Sequence, residues 1–293
     1  MQLGVLSLVL SAQTISLCAV SAETVKFAKY EGRKEMAYAL DILAPWANAG
    51  KLTINFPEHL QFKTTGKVAI LAEYEKDMQG WVIGEDGLSA SLDVESRFQP
   101  GVKIKATAKV VDGLRVDFSF ALVHGGKAPL PDLVPFFCHH YGFLTGFARE
   151  NHFKHVHVLQ DSKLVALADL PAAKADASVR GAYVTGCPQQ PSGVKDFSGK
   201  YGGFVEKPLD RALVALTSAE GKRKILLAWT PGMYMLSNSS IPCIHADPFL
   251  GSLEPGKSVE VKGVLIFTEG SLDEAVAALV KEGAGAPPKN AAK

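Results

Sequence analysis

From residue 23 onward the chain alternates apolar and polar side chains with a period of two. Leu88, Ala90, Leu92 and Val94 interleave with Ser89, Ser91, Asp93 and Glu95. Val102, Ile104, Ala106, Ala108 and Val110 interleave with Lys103, Lys105, Thr107 and Lys109. Leu114, Val116, Phe118, Phe120 and Leu122 follow with Arg115, Asp117 and Ser119 between them. Successive side chains of a strand point to opposite faces, so this pattern predicts strands with one face in a core and the other in a polar setting. Asp112-Gly113 separates the second and third runs and predicts a hairpin, because both residues tolerate positive φ. Further strands are expected over 24–30, 36–43, 51–56, 68–75, 154–159, 164–168, 180–185, 211–217, 224–229 and 258–268.

A single helix is predicted near the end. Ser271 can cap it, Asp273 and Glu274 fall in its first turn, and Leu272, Val276, Leu279 and Val280 make an apolar stripe closed by Gly283. Strands joined by short links, with almost no helix, imply an all-β fold: a large, supersandwich-like antiparallel β-sandwich with one short C-terminal helix. No linker divides residues 23–282, which are expected to form one domain. Residues 283–293 are small, polar and Pro-containing, and are expected to be a disordered tail.

Composition narrows the function classes. The 293 residues are 47% hydrophobic and 21% charged, with a formal net charge of +1. That supports a sizeable core and gives no electrostatic reason to expect a nucleic-acid or anionic-membrane partner. Residues 1–22 carry no charged side chain and end on Val20-Ser21-Ala22, small residues at a plausible cleavage site before Glu23. The stretch is too interrupted by Gln13, Thr14 and Ser16 to span a membrane, so it reads as a cleaved secretory signal, with a secreted or periplasmic mature protein. The mature chain would hold Cys138, Cys187 and Cys243. Export permits a disulfide, an odd count leaves a thiol over, and sequence does not choose among the three pairings.

The densest chemistry is histidine. Five of the eight lie between positions 139 and 157: His139, His140, His152, His155 and His157. His155 and His157 share one strand face if 154–159 is extended, whereas only one of His139 and His140 can join the polar face. His245 and Asp247 also lie two apart, and an Asp can fix a histidine tautomer and raise its basicity. The expected site is one polar pocket on the sheet. His140, Tyr141, His157 and His245 are its candidate acid–base residues, and His155, Arg180, Trp229 and Asp247 its candidate substrate-binding residues. Arg180 would suit a carboxylate on an acidic sugar. No metal or cofactor is expected, since no zinc, P-loop, dinucleotide or nucleophile-elbow spacing is present.

The block from Trp229 to Gly270 carries Cys243-Ile-His-Ala-Asp-Pro248, Leu253-Glu-Pro-Gly256 and Lys262-Gly-Val-Leu-Ile-Phe-Thr-Glu-Gly270. It resembles exported bacterial proteins of the planctomycete and verrucomicrobial type, and through them the galactose-mutarotase-like supersandwich of sugar epimerases, polysaccharide lyases and glycoside hydrolases. The resemblance implies a broad concave sheet face suited to carbohydrate or polysaccharide. The mutarotase glutamate base has no match in this chain, so no mutarotase activity is carried over. The expected function is therefore an exported carbohydrate-active protein (a lyase, hydrolase or epimerase using His and Tyr). The alternatives are a non-catalytic glycan-binding or envelope-associated module and, more weakly, a histidine-ligated metalloenzyme.

Overall fold

A computed structural model describes residues 24–32, 38–64, 67–72, 80–147, 150–171, 177–187, 205 and 207–289. The leader expected over residues 1–22 lies outside the described residues. Two antiparallel sheets account for most of the chain. The first contains β1 (Lys26–Lys29), β2 (Ala39–Leu43), β3 (Lys51–Thr64), β4 (Lys67–Ala72), β9 (Val134–His140), β12 (Val179–Tyr183), β15 (Gly232–Asn238) and β16 (Cys243–Pro248). Its strands run β1-β2-β3-β9-β16-β15-β12, with β4 also paired to β3. The second contains β5 (Val82–Ile83), β6 (Ser89–Glu95), β7 (Val102–Val110), β8 (Arg115–His124), β10 (Val156–Gln160), β11 (Lys163–Ala166), β13 (Leu213–Thr217), β14 (Lys224–Thr230) and β17 (Ser258–Thr268). Its order is β11-β10-β13-β14-β17-β8-β7-β6-β5.

The alternating runs behave as their period dictates. In β7 every apolar position is buried and every Lys or Thr exposed. The inward faces of both sheets meet in one core that includes Leu40, Ile54, Phe56, Phe137 and Ile244 from the first and Phe118, Phe120, Val158, Leu227 and Trp229 from the second. The outward face of the second sheet is also apolar around Leu213, Ala215, Leu226 and Ala228. The helix, α1 (Leu272–Lys281), covers it with Ala275, Val276 and Leu279. Ser271 caps α1 as expected, its side chain accepting a hydrogen bond from the Glu274 N–H at 3.3 Å.

Three local expectations change. The hairpin of β15 and β16, where no strand was predicted, lies inside the first sheet, and its strands are buried on both faces. A short 3₁₀ turn (His152–Lys154) precedes β10, so the strand begins at Val156 and His155 has helical rather than extended backbone. The chain after α1 is tied down through Ala286: Ala212 N–H donates to the Gly285 carbonyl at 2.9 Å and Gly232 N–H to the Ala286 carbonyl at 2.7 Å. Residues 283–286 are therefore held against the residues that lead into β13 and β15, while 290–293 lie outside the described residues. Among the described residues no helix is long and apolar enough to cross a membrane.

Candidate ligand site and a buried thiol–imidazole cluster

The predicted site residues divide among separate places. His157 pairs with Ala215 and Ala166 on the outward face of the second sheet. Burial lowers its pKa against the pull of Asp169 and Asp273. His245 is on β16, whose Ile244 and Ala246 enter the central core. Alternation therefore sends His245 outward on the first sheet, with the core between it and His157. Trp229 is fully buried in that core, against Phe137 at 4.8 Å, Phe56 at 5.5 Å and Phe118 at 5.8 Å. It is a packing residue, unavailable to a sugar. His139 and His140 point to opposite faces, as alternation requires: His139 packs towards Phe118, and His140 meets Phe143 at 5.2 Å. His155 sits at the end of the 3₁₀ turn rather than beside His157.

One convergence does form at an end of the sandwich, around Tyr141, Arg180 and a histidine that spacing had not singled out. Tyr141 OH is hydrogen-bonded to His152 Nδ1, and His152 Nε2 lies 2.5 Å from Ser237 Oγ. Ser237 spends its one hydroxyl proton on the Cys243 carbonyl at 2.9 Å. Hence Nε2–H must donate to Ser237, and Nδ1 accepts from Tyr141. Burial, aided by His155, lowers the His152 pKa to about 4, so the ring is neutral at pH 7. Beside it the Arg180 guanidinium lies 4.9 Å from the Phe153 ring centre and donates to the carbonyls of Leu167 and Ala168. A cavity of about 370 Å³ opens here, lined by Asn151, His152, Phe153, Lys154, Ala168 and Ser239. Its lining offers an amide, a hydroxyl, an ammonium group and an aromatic ring, and among the described residues it contains no carboxylate. The signal in sequence was the His152-Phe153-Lys154 run; the partners come from distant segments, Ser237 from β15 and Tyr141 from the residue after β9.

The second constellation is on the outward face of the first sheet. The antiparallel register sets Cys243 opposite His140 and Ile244 opposite His139, which brings Cys138 alongside His245. Ligating atoms of Cys138, Cys243 and His245 all lie within 4.8 Å of one another, and all three residues are buried. Cys243 Sγ is 3.5 Å from His245 Nε2, and His245 Nδ1 is 3.6 Å from Asp247 Oδ2. Asp247 Oδ1 accepts from the Phe137 N–H at 2.6 Å. The Cys138 thiol hydrogen-bonds Cys243, which lowers the Cys243 pKa to about 6 while Cys138 is pushed up. Burial opposes charge on His245, but Cys243 and Asp247 together hold its pKa well above the ordinary value. Burial raises Asp247 against the opposing pull of His245, the Phe137 N–H and Tyr234. His245 and Asp247 thus face each other at 3.6 Å without a hydrogen bond, and the two cysteines beside them are the part that sequence spacing concealed. Cys138, Cys187 and Cys243 are all free thiols.

No family model matches the chain, and no curated protein matches it either. Among solved structures it is similar to a putative aldose 1-epimerase from Escherichia coli K12, at 11% identity and a TM-score of 0.44, covering 84% of this chain and 99% of that one. It is similar to a galactose 1-epimerase from Lactobacillus acidophilus, at 12% identity and a TM-score of 0.39, covering 86% and 100%. A polysaccharide lyase matches at 11% identity and a TM-score of 0.42, over 88% of this chain but 34% of that longer one.

The two constellations differ in what they can do. The end cavity is open, and behind it the hydrogen bonds of His152 are already assigned to Tyr141 and Ser237. The thiol–imidazole cluster is sealed from solvent: His245 is 3% exposed and Asp247 0%.

Proposed function

We propose that this chain is an exported glycan-binding protein that takes an acidic sugar unit in the cavity at the end of the sandwich. The observation that carries the reading is the cavity lining: Lys154 supplies positive charge, Phe153, which stacks against Arg180, supplies a ring, Asn151 and Ser239 supply hydrogen-bonding groups, and among the described lining residues no acidic side chain opposes an anion. A uronate or sulfated sugar combines an anionic group with hydroxyls and an apolar ring face, and meets each of these features. Binding rather than turnover is favoured because both ring nitrogens of His152 are engaged internally.

A catalytic reading is supported by the same Tyr141–His152–Ser237 run, which would move a proton if a substrate hydroxyl replaced one partner. The experiment separates the two. A panel of polyuronates, sulfated glycans and neutral glycans is tested by calorimetry and by product release, with wild type, Lys154→Ala, Phe153→Ala and His152→Gln. The expected result is binding confined to anionic glycans, weakened by the first two variants, with no product released. Turnover that falls by ~10²–10⁴ in His152→Gln would establish the enzyme instead. Absence of anionic-glycan binding, or binding that ignores Lys154 and Phe153, overturns the site. Export is tested separately: the mature chain should begin at Glu23.

A further inference from the structure

We propose that Cys138, Cys243 and His245 form a zinc site, with Asp247 as the residue that positions the histidine. Tetrahedral zinc with Zn–S near 2.3 Å and Zn–N near 2.0–2.1 Å sets sulfur and nitrogen about 3.5 Å apart and two sulfurs about 3.8 Å apart. The Cys243 Sγ to His245 Nε2 separation is 3.5 Å, and all three ligand atoms fit within 4.8 Å. The imidazole is presented correctly for this role. Nε2 faces the sulfurs, while Nδ1 faces Asp247 Oδ2 at 3.6 Å. A metal-bound histidine commonly hands its other N–H to a carboxylate, which fixes the tautomer and raises ligand basicity.

Charge and burial favour the same ion. Two thiolates and a neutral imidazole cancel the charge of Zn²⁺, so the coordinated core is neutral where water is excluded. Asp247 keeps one carboxylate oxygen on the Phe137 N–H, leaving the other for His245. Neither Nδ1 of His245 nor Oδ2 of Asp247 has a hydrogen bond otherwise. Drawing the ring onto zinc as the Nδ1–H tautomer would close that gap. The three ligands sit on two strands joined by backbone register, so the donor set is held without loops. Three protein ligands leave one tetrahedral position for a further donor. The site lies on the outward face of the first sheet and shares no lining residue with the end cavity, to which it is joined through the Ser237 hydroxyl on the Cys243 carbonyl.

The test uses the full-length chain, reduced, with its thiols counted before metal is added. Elemental analysis after dialysis should find about one Zn²⁺ per chain. Co²⁺ in its place should give a thiolate-to-metal charge-transfer band and a tetrahedral visible spectrum. Cys187→Ser should keep the ion, whereas Cys138→Ser and Cys243→Ser should lose it. Asp247→Asn should weaken affinity by roughly 10–100-fold while retaining the thiolate–cobalt band. That split separates a positioning residue from a ligand and does not depend on whether the cysteine variants fold. Fully reduced wild type that takes up neither ion overturns the proposal. So does a Cys138–Cys243 disulfide in the isolated protein that, once reduced, still binds no metal.

Discussion

Gly263 offers a sharp test of how the core is filled. It stands on β17 directly opposite Trp229 of β14. A Cβ built on Gly263 would lie 2.6 Å from Trp229 Cε2 and 2.7 Å from Cδ2. These are ring atoms of a side chain wedged among Phe56, Phe118 and Phe137, so the indole has no free direction in which to retreat. Gly263→Ala should gain roughly 0.4–1 kcal/mol from a less flexible unfolded chain. Overpacking of a filled core costs about 1–3 kcal/mol, so the net expectation is destabilisation by about 1–2 kcal/mol. Trp229→Leu alone should cost several times more, by loss of buried area and a residual cavity, towards the ~3–5 kcal/mol of large aromatic truncations. In the double variant the added methyl occupies vacated space. Gly263→Ala should then be neutral or stabilising, giving a coupling of about 1–3 kcal/mol. Urea melts of the four proteins measure this cycle. Additive costs, or a Gly263→Ala protein as stable as wild type, would refute the wedged-ring account.

Other outcomes follow from the same contacts. Tyr141→Phe leaves the buried His152 Nδ1 without its donor and should cost about 1–3 kcal/mol in denaturant melts; no loss would mean that the hydrogen bond is absent in solution. His152 has a folded pKa of about 4 against an ordinary value of 6.5, so the unfolded chain binds its proton first as pH falls. Its stabilising contribution is therefore complete above about pH 6.5 and is lost as pH falls towards 4, at up to about 1.4 kcal/mol per pH unit. The stability–pH curve of His152→Gln should be flatter over that window, and identical slopes would count against a buried neutral ring. Ser271→Ala removes the cap of α1 and should cost about 1 kcal/mol, read from the shift in urea midpoint.

The sandwich was legible wherever one strand face met solvent. β6, β7 and β8 announce themselves by clean alternation, and their observed burial follows it. The hairpin of β15 and β16 was not legible, because Met233, Tyr234, Met235 and Leu236 are buried on both faces and leave no period to read. His155 was displaced for a local reason: Asn151 adopts φ 52° and starts a turn of 3₁₀ helix that sequence periodicity does not register. Trp229 was offered to a ligand on residue type alone, and only the surrounding phenylalanines reveal its task. The pairing of His245 with Asp247 was readable from its two-residue spacing. Cys138 was not, since it reaches His245 only through the register of β9 with β16, a relation between distant segments.

That same register also sets an order of events during synthesis. β3 finds one partner at once in β2, but its other edge must wait for β9, where Asn55 meets Cys138. β9 in turn stays open on its far side until Cys243 emerges to face His140. The first sheet is therefore completed from the middle outward only after nearly the whole chain exists, whereas β6, β7 and β8 can zip together as neighbouring hairpins. Pairings between distant segments carry a larger loop-closure cost and form slowly. The nascent chain would carry an open edge of the first sheet, on β3 and then on β9, until β16 emerges, which makes that edge the place where a holding chaperone, or an aggregate, would first take hold.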